Sequence, residues 1–121
     1  MFERCECGSG QSYAGCCGRL HSGAPARDAE ELMRSRYCAF AQGNAAYLQK
    51  SWAAETRPLI LDLDPAQVWT GLVIERFEPT GPATATVRFT ATWRNGTHTG
   101  RVRETSRFRR EGADWVYIDG T

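Results

Sequence analysis

Four cysteines near the amino terminus are the residues of this sequence best suited to chemistry. The segment that holds them is thirteen residues long, rich in glycine, and has Tyr13 as its only bulky apolar side chain. Such a segment cannot bury enough apolar surface to offset the entropy it loses on ordering. Four thiolates around one Zn²⁺ would supply the missing free energy, on the order of 10 kcal/mol or more in small zinc-binding peptides. The sequence therefore predicts a metal site made of Cys5, Cys7, Cys16 and Cys17.

Disulfides and free thiols are the alternatives to a metal site. A bond between the adjacent Cys16 and Cys17 closes a strained eight-membered ring. A bond from either of them to Cys5 or Cys7 leaves two cysteines that are poorly placed to pair. A tail of free thiols is the third possibility. Four sulfurs suit iron as well as zinc, so the pattern does not choose between these metals. We expect His21 to be a donor beside the site or a surface residue, because four sulfurs already complete the ligand shell.

Residues around the cysteines have roles that support ligation. Gly8 and Gly10 allow a tight turn, and their backbone N–H groups can donate to the sulfurs. Arg4 and Arg19, with His21, are near enough in sequence to offset the negative charge of four thiolates. A site closed by four sulfurs has no open position for water, so it is not expected to be catalytic.

Two helices are predicted after this segment. Asp28 followed three residues later by Glu31 resembles a capping box, and Gly43 is a typical C-terminal stop. These signals predict a helix over residues 29–42. Asn44 can cap a second helix that extends to about residue 52.

The first helix has an arginine in its apolar face. At 100° per residue, Arg36 lies near the middle of the stripe, whereas Arg34 and Cys38 lie on the other side. The apolar stripe consists of Ala29, Leu32, Met33, Tyr37, Ala39 and Phe40. A buried guanidinium must reach solvent along its stem or meet a carboxylate, because an unpaired buried charge is costly.

Four strands are predicted in the second half of the chain. Residues 83–93 alternate apolar and polar side chains without interruption, and Asn95-Gly96 is a strong hairpin signal. The returning strand covers residues 99–110. Residues 68–77 and 115–118 read as the first and last strands, with Pro79, Gly81 and Pro82 marking a turn. Two helices followed by an antiparallel meander predict an α+β domain with its helices on one face of the sheet.

Glu104 offers a partner for Arg36. It lies on the inward face of its strand between Val102 and Phe108, where apolar residues are expected. We therefore predict that Arg36 and Glu104 pair inside the domain and that Ser106 takes a remaining hydrogen bond. Either the pair is structural and holds the helix in register, or it lines a pocket in which Arg36 binds an anionic group.

The outward face of the same strand is rich in arginine. Net charge is +1, so the whole chain shows no electrostatic preference for nucleic acid or membrane. The strip consists of Arg101, Arg103, Arg107 and Arg109. A solvated face is the simpler interpretation, because no aromatic side chains alternate there to stack bases. Contact with RNA or a ribosome is the alternative.

Two stretches of the sequence carry a family resemblance. C-E-C-G-S-G-Q-S-Y-A-G-C-C at residues 5–17 resembles the SEC-C motif, a zinc-binding segment of the translocase ATPase SecA and of several small bacterial proteins. With A-E-E-L-M-R-S-R-Y at residues 29–37 and further matches to Phe108, the whole chain is similar to the YchJ-like family of uncharacterised bacterial proteins. Cys38 departs from the family, in which serine is expected, and we expect it to be an ordinary thiol.

The resemblance implies an NTF2-like cone, a curved sheet wrapped around a long helix that often leaves a pocket. It also implies that the cysteine segment is a docking module for chaperone, translocation or ribosomal partners. On this basis we divide the chain into a SEC-C-like zinc knuckle at residues 1–23 and an NTF2-like domain at residues 24–121.

Catalysis has little support in the sequence. His98 lies in or beside a hairpin turn, and Asp62, Asp64 and Asp119 resemble solvated loop carboxylates more than an acid and base pair. No apolar run approaches the ~20 residues that span a bilayer, and thiols kept for metal favour a reducing compartment. The prediction is a cytoplasmic, zinc-binding, non-catalytic adaptor. The rival is a small-molecule binder or enzyme that uses a cavity around Arg36, Glu104 and Ser106.

Overall fold

A computed structural model describes residues 4–121. Three helices come first: α1 (Cys17–His21), α2 (Ala29–Gln42) and α3 (Ala45–Lys50). Four strands follow: β1 (Val68–Gly81), β2 (Thr84–Asn95), β3 (His98–Glu111) and β4 (Asp114–Gly120). The strands form one antiparallel sheet in chain order, β1-β2-β3-β4.

Helix α2 has the bounds that its capping residues predict. The Asp28 side chain accepts a hydrogen bond from the Glu31 backbone N–H at 2.9 Å, and Gly43 ends the helix at φ 70°. Helix α3 is also capped as predicted, because Asn44 accepts from the Tyr47 N–H at 3.1 Å, but it ends earlier than expected, at Lys50. The five-residue helix α1 was not predicted.

The sheet follows the predicted alternation. In β2 the inward side chains of Ala85, Val87, Phe89 and Ala91 are buried, and Asn95 pairs with His98 across the predicted hairpin. Strand β1 is longer than expected. Pro79 and Gly81 are part of it, because the strand continues through a register shift between them until it turns into β2.

The main core lies between α2 and the inward face of the sheet. Phe108 of β3 and Leu48 of α3 are among its most buried side chains. Residues 51–53 cover the outer edge of β4, since the Tyr117 N–H donates to Ser51 O at 2.8 Å and the Ala53 N–H donates to Tyr117 O at 2.7 Å. This contact places Trp52 beside Tyr117 at one end of the sheet.

The cysteine segment packs on the same core. Its four cysteines and Leu20 form one cluster of buried residues with Ala29, Leu32 and the other buried apolar side chains of α2. The predicted boundary at residue 23 stays a prediction, and residues 1–3 lie outside the described residues. Within residues 4–121, each helix is too short or too polar to cross a bilayer.

Candidate metal centre and cavity

The four predicted sulfurs come together at the amino-terminal end of the protein. Cys5 and Cys7 lie on a loop closed by a hydrogen bond from the Cys5 N–H to Gln11 O at 2.8 Å, and Gly8 turns this loop at φ 82°. Cys16 and Cys17 lie at the start of α1. A close approach of Gly18 to Tyr13 fixes the angle of this helix, since a Cβ at Gly18 would lie 2.7 Å from Tyr13 O.

The geometry of these sulfurs fits one metal ion. All four are buried, and their Sγ atoms lie within 4.8 Å of one another. The separation is 3.7 Å between Cys7 and Cys16 and 4.0 Å between Cys16 and Cys17. A tetrahedral ion with metal–sulfur bonds of about 2.3 Å places its sulfurs about 3.8 Å apart. The cluster is therefore able to hold a metal ion.

The close packing of the sulfurs shifts the protonation of their thiols in different directions. The pKa of the Cys7 thiol is lowered, mainly by hydrogen bonds with the thiols of Cys17 and Cys38. The pKa of Cys17 is raised by its hydrogen bonds with Cys38 and Cys7, and that of Cys16 is raised mainly by burial. The four sulfurs cannot all ionise in this space unless a cation offsets their charge.

Neighbouring side chains hold the cluster in ways that differ partly from the prediction. The hydroxyl of Ser9 lies 3.2 Å from Cys16 Sγ. Arg19 does not offset the sulfur charge, because its guanidinium pairs with Glu31 at 2.7 Å. The arginine that contacts the cysteine segment is instead Arg34 of α2, whose Nη1 donates to Cys7 O at 2.7 Å.

His21 tethers the segment to α2. Its Nε2 lies 2.9 Å from Ser35 O, and its Nδ1 lies 2.6 Å from the Tyr13 hydroxyl. With both ring nitrogens in hydrogen bonds, His21 lies outside the group of four sulfurs that could hold the ion. Its partners are Tyr13 and Ser35 and not a sulfur, and the side chain is half-buried, so His21 is neither the donor to the sulfurs nor the surface residue that was predicted.

Cys38 is a fifth sulfur beside the cluster. It lies on α2, is fully buried, and its Sγ is 3.5 Å from Cys5 Sγ. A hydrogen bond with Cys17 lowers its pKa, but the Cys7 thiol, burial and the Cys5 thiol together raise it above the ordinary value. The helical spacing predicted that Cys38 turns away from the apolar stripe of α2, and the structure shows that the cysteine cluster lies on that side of the helix.

A cavity of about 220 Å³ lies between α2 and the inward face of the sheet. The three predicted pocket residues, Arg36, Glu104 and Ser106, all line it. Its other walls are mainly aromatic: Tyr37, Phe40, Trp52, Trp69, Phe89 and Tyr117. Sequence reasoning missed these aromatic walls, for which the only signal was the abundance of aromatic residues on faces predicted to be buried.

Arg36 does not form the predicted ion pair with Glu104. None of the ion pairs among residues 4–121 includes Arg36. Its Nη1 donates instead to Leu48 O at 2.8 Å and to Ser51 Oγ at 2.7 Å. Burial lowers its pKa to about 10, so the side chain remains charged at neutral pH.

Aromatic rings replace the predicted carboxylate beside this cation. The Arg36 Cζ lies 4.9 Å from the ring centroid of Trp52 and 4.6 Å from that of Tyr117. The negative faces of such rings attract a guanidinium by about 0.5–2 kcal/mol each. The prediction was wrong because the segment after α3 brings Trp52 and Ser51 to Arg36.

Glu104 is held within a separate hydrogen-bond network. The Ser106 hydroxyl donates to Glu104 Oε2 at 2.5 Å, which is the hydrogen bond predicted for Ser106. The Tyr117 hydroxyl donates to the same oxygen at 3.2 Å. Tyr117 thus contacts Arg36 with its ring and Glu104 with its hydroxyl. The cavity contains one basic and one acidic side chain that do not neutralise each other by direct contact.

The arginine strip on the outward face is largely paired. Arg103 binds Glu75 through two hydrogen bonds of 3.1 Å, and Arg107 binds Asp119 at 2.6 and 2.7 Å. Arg109 forms ion pairs with the carboxylates of Glu55 and Glu111. Of the four arginines, Arg101 alone has no ion pair among the described residues. These carboxylates compete with phosphate for the strip.

The remaining titratable candidates belong to neither site. His98 is the exposed first residue of β3, and Asp119 is the partner of Arg107. Asp64 accepts from Asn95 at 3.0 Å in the segment before β1. Neither His98 nor these aspartates line the cavity.

Comparison with known proteins agrees with this architecture. Residues 28–120 match the family described as "YchJ, middle NTF2-like domain". A SEC-C motif containing protein from Rhodopseudomonas palustris is similar in structure, with a TM-score of 0.86 and 31% identity over 100% of this chain and 98% of that chain. Another from Psychrobacter arcticus has a TM-score of 0.81 and 25% identity over 95% of this chain and 80% of its own.

The fold and the cysteine cluster define a protein of the SEC-C and NTF2-like class, as the sequence predicted. A UPF0225 protein of Streptomyces coelicolor is 50% identical over 96% of this chain and 93% of its own length. One from Xanthomonas campestris pv. campestris is 47% identical over 97% of this chain and 93% of its own. The chain belongs to the YchJ-like family, UPF0225.

Proposed function

We propose that the protein binds one Zn²⁺ through Cys5, Cys7, Cys16 and Cys17 and that this ion is structural. The observation that supports it is the burial of four sulfurs within 4.8 Å of one another. Zn²⁺ is the usual ion of closed four-sulfur sites, although iron also accepts such ligands. The ion would supply the free energy that orders the cysteine segment against α2.

Metal analysis of protein purified under reducing conditions tests this proposal. We expect one zinc per chain from cells grown without added metal. A stoichiometric iron content would contradict zinc, and a chain that binds no ion would contradict the metal site. Arg19→Gln is a useful control, because it changes the same segment without touching a sulfur.

We propose further that the protein binds a small molecule in the cavity between α2 and the sheet. The observation that carries this function is a cavity of about 220 Å³ on which Arg36, Glu104 and Ser106 converge. A sealed interior filled by side chains would have favoured a purely adaptor role. Pockets with apolar walls and a few converging polar groups are typical of ligand sites.

The proposed activity is binding and not catalysis. No histidine, cysteine or lysine is among the residues that line the cavity. Its one carboxylate, that of Glu104, accepts two hydrogen bonds from the protein. General acid–base catalysis favours a group whose pKa lies near the operating pH, whereas burial raises the pKa of Tyr117 to about 12 and lowers that of Arg36 to about 10.

Blocking the cavity tests the binding function. Val102 lines it and is 40% exposed, so we expect Val102→Trp to fill its opening. Val73→Trp is a matched control, because Val73 is 61% exposed on β1 and does not line the cavity. Aromatic fragments detected by ligand-observed NMR should bind the parent and Val73→Trp but not Val102→Trp. Equal binding to all three would place the fragments elsewhere and contradict the proposal.

An adaptor role is the second candidate. Two observations favour it: the turn of the SEC-C-like segment is exposed around Gly10 and Gln11, and Leu59 and Ile60 are 99% and 76% exposed. Apolar side chains presented in this way are suited to contact with a protein, which the resemblance implies is a chaperone, translocation or ribosomal component. The buried free cysteines are consistent with work in a reducing compartment, which we propose is the cytoplasm.

Affinity capture separates the adaptor role from ligand binding. A partner of the SEC-C-like segment should be captured by the parent protein and lost with Cys16→Ser. A partner of the exposed apolar pair should be lost with the Leu59→Ser, Ile60→Ser double variant. Identical captured sets for all variants would contradict the adaptor role. We do not propose a nucleic-acid partner, because three of the four strip arginines already bind carboxylates.

A further inference from the structure

One wall of the cavity has hydrogen-bond donors that the protein leaves without an acceptor. Arg36 is 3% exposed, and among the hydrogen bonds of residues 4–121 it donates only through Nη1. Its Nε and Nη2 therefore remain available. A buried guanidinium without a carboxylate partner is costly unless another anion meets it.

Trp52 lies beside Arg36 in this wall, but its indole nitrogen has almost no accessible surface and is closed off from the cavity. Its Nε1 is the one buried side-chain nitrogen or oxygen without a hydrogen-bond partner in the part of the chain that the structure describes. Trp52 lines the cavity, and its ring centroid lies 4.9 Å from the Arg36 Cζ. An acidic group of a ligand is therefore the natural acceptor for the free N–H groups of Arg36 alone, because bonds to an ionised oxygen are the strong ones.

Glu104 presents the opposite requirement in the same cavity. The hydroxyls of Ser106 and Tyr117 both donate to Oε2, and no residue among 4–121 donates to Oε1. A ligand N–H would satisfy this oxygen. A ligand with an acidic group alone would be attracted by Arg36 but repelled by Glu104. A purely cationic ligand would be attracted by Glu104 but repelled by Arg36.

The size and walls of the cavity limit the rest of the ligand. Its volume is about 220 Å³, compared with ~150 Å³ for an engineered cavity that binds benzene. One aromatic ring with short substituents therefore fits. The rings of Tyr37, Phe40, Trp69 and Phe89 provide apolar contact for such a ligand.

We propose that the cavity binds a single-ring aromatic compound that carries both an acidic group and an N–H donor, as an aromatic amino acid does. The acidic group lies at Arg36, and the N–H donates to Glu104 Oε1. This inference rests on the proposed ligand-binding function and adds the chemical class of the ligand to it.

Four probes of similar size test the two polar contacts separately. L-Phenylalanine has both groups, 3-phenylpropanoate lacks the amine, 2-phenylethylamine lacks the acid, and toluene lacks both. Each is titrated into ¹⁵N-labelled metal-loaded protein while the indole N–H signals are followed. The signals of Trp52 and Trp69 should shift, while those of Trp93 and Trp115, which do not line the cavity, serve as internal controls.

The order of affinities is the expected result. L-Phenylalanine should bind most tightly, and each probe with one charge should bind about tenfold more weakly, as the loss of a charged hydrogen bond predicts.

A matched pair of variants isolates the Glu104 contact. Glu104→Gln keeps the shape of the side chain and should weaken L-phenylalanine about tenfold while leaving 3-phenylpropanoate unchanged or tighter. Glu78→Gln makes the same chemical change on β1, outside the cavity, and should change neither affinity. Equal weakening of both probes by Glu104→Gln would overturn the N–H contact.

Failure of the ligand class is distinguishable from failure of the binding function. If toluene shifts the Trp52 and Trp69 signals with an affinity equal to or above that of L-phenylalanine, the cavity binds ligands but the proposed polar contacts are wrong. If 3-phenylpropanoate equals L-phenylalanine, the assignment to Glu104 is wrong. If no probe shifts these signals, both the ligand class and the binding function are overturned.

Discussion

The Tyr117 ring lies against the guanidinium group of Arg36, with 4.6 Å from its centroid to the Arg36 Cζ. The hydroxyl of the same ring donates to Glu104 Oε2 at 3.2 Å. Tyr117 therefore links the two charged side chains of the cavity while no direct ion pair joins them. This arrangement explains how the domain tolerates a buried cation, because the ring face stabilises the guanidinium and leaves part of it free.

Replacing Arg36 by methionine tests whether the cation is needed for folding. The change removes two hydrogen bonds from a charged donor, worth about 1.5–3 kcal/mol each, and the ring contacts, but it also removes the cost of burying a charge. We expect the free energy of unfolding, measured with urea, to change by no more than about 2 kcal/mol. Arg36→Ala also leaves a void and should cost more. A chain with Arg36→Met that no longer folds would show that the cation is required by the structure.

Stability should fall at alkaline pH because of buried tyrosines. Burial, followed by the charge of Glu104, raises the pKa of Tyr117 to about 12, and burial raises that of Tyr37 to about 12. In the unfolded chain both groups titrate near 10. The stabilisation is complete below pH 10 and is lost as pH rises toward 12, since the unfolded state then binds fewer protons.

The expected loss is about 1–2 kcal/mol per tyrosine after allowing for partial exposure. The lowered pKa of Arg36, about 10, acts in the opposite direction over the same range and reduces the net effect. Urea unfolding at pH 9 and pH 11.5, with tyrosinate absorbance as a second observable, measures the loss. Tyr117→Phe should show a shallower decline than the parent, and an equally steep decline would contradict the role of this residue.

Loss of one sulfur ligand should release the metal, whereas loss of Cys38 should not. Cys16→Ser is expected to reduce the ion content well below one per chain and to lower the free energy of unfolding by roughly 3 kcal/mol or more, because metal binding is coupled to folding. Cys38→Ser should retain one ion, since the four grouped sulfurs remain. Metal content and urea unfolding of both variants provide the test. Retention by Cys16→Ser with loss by Cys38→Ser would show that α2 supplies a ligand.

Gly18 should not accept a side chain, although it lies in a helix where alanine is normally preferred. A Cβ at this position would lie 2.7 Å from Tyr13 O and 3.0 Å from its ring. We expect Gly18→Ala to destabilise the protein by about 1–3 kcal/mol through overpacking. Gly15→Ala is the control, because its nearest neighbour is the Ser12 Oγ at 3.1 Å, a side-chain atom that can rotate at the cost of the hydrogen bond it accepts from the Gly15 N–H. Thermal unfolding of the metal-loaded variants compares them, and a stabilising Gly18→Ala would contradict this packing.

Local signals in the sequence predicted the local structure well. Asp28 and Gly43 fixed the ends of α2, because caps act within one turn of a helix. The alternation of β2 and the Asn95-Gly96 hairpin set the register of the sheet, since side chains along a strand point to opposite faces. The resemblance to a family supplied the rest of the fold, which periodicity alone did not specify.

By itself, the sequence determined which sulfurs can meet, which residues form α2 and the strands, and that Arg36 and Glu104 both face inward. Only the tertiary structure decided that Arg36 meets Trp52 and Tyr117, that a cavity remains beside them, and that Cys38 abuts the sulfur cluster. The physical reason is the distance along the chain over which each interaction acts. Caps, turns and ligand spacing act over a few neighbouring residues, whereas the partner of a buried side chain depends on segments far apart in the chain and on the packing that brings them together.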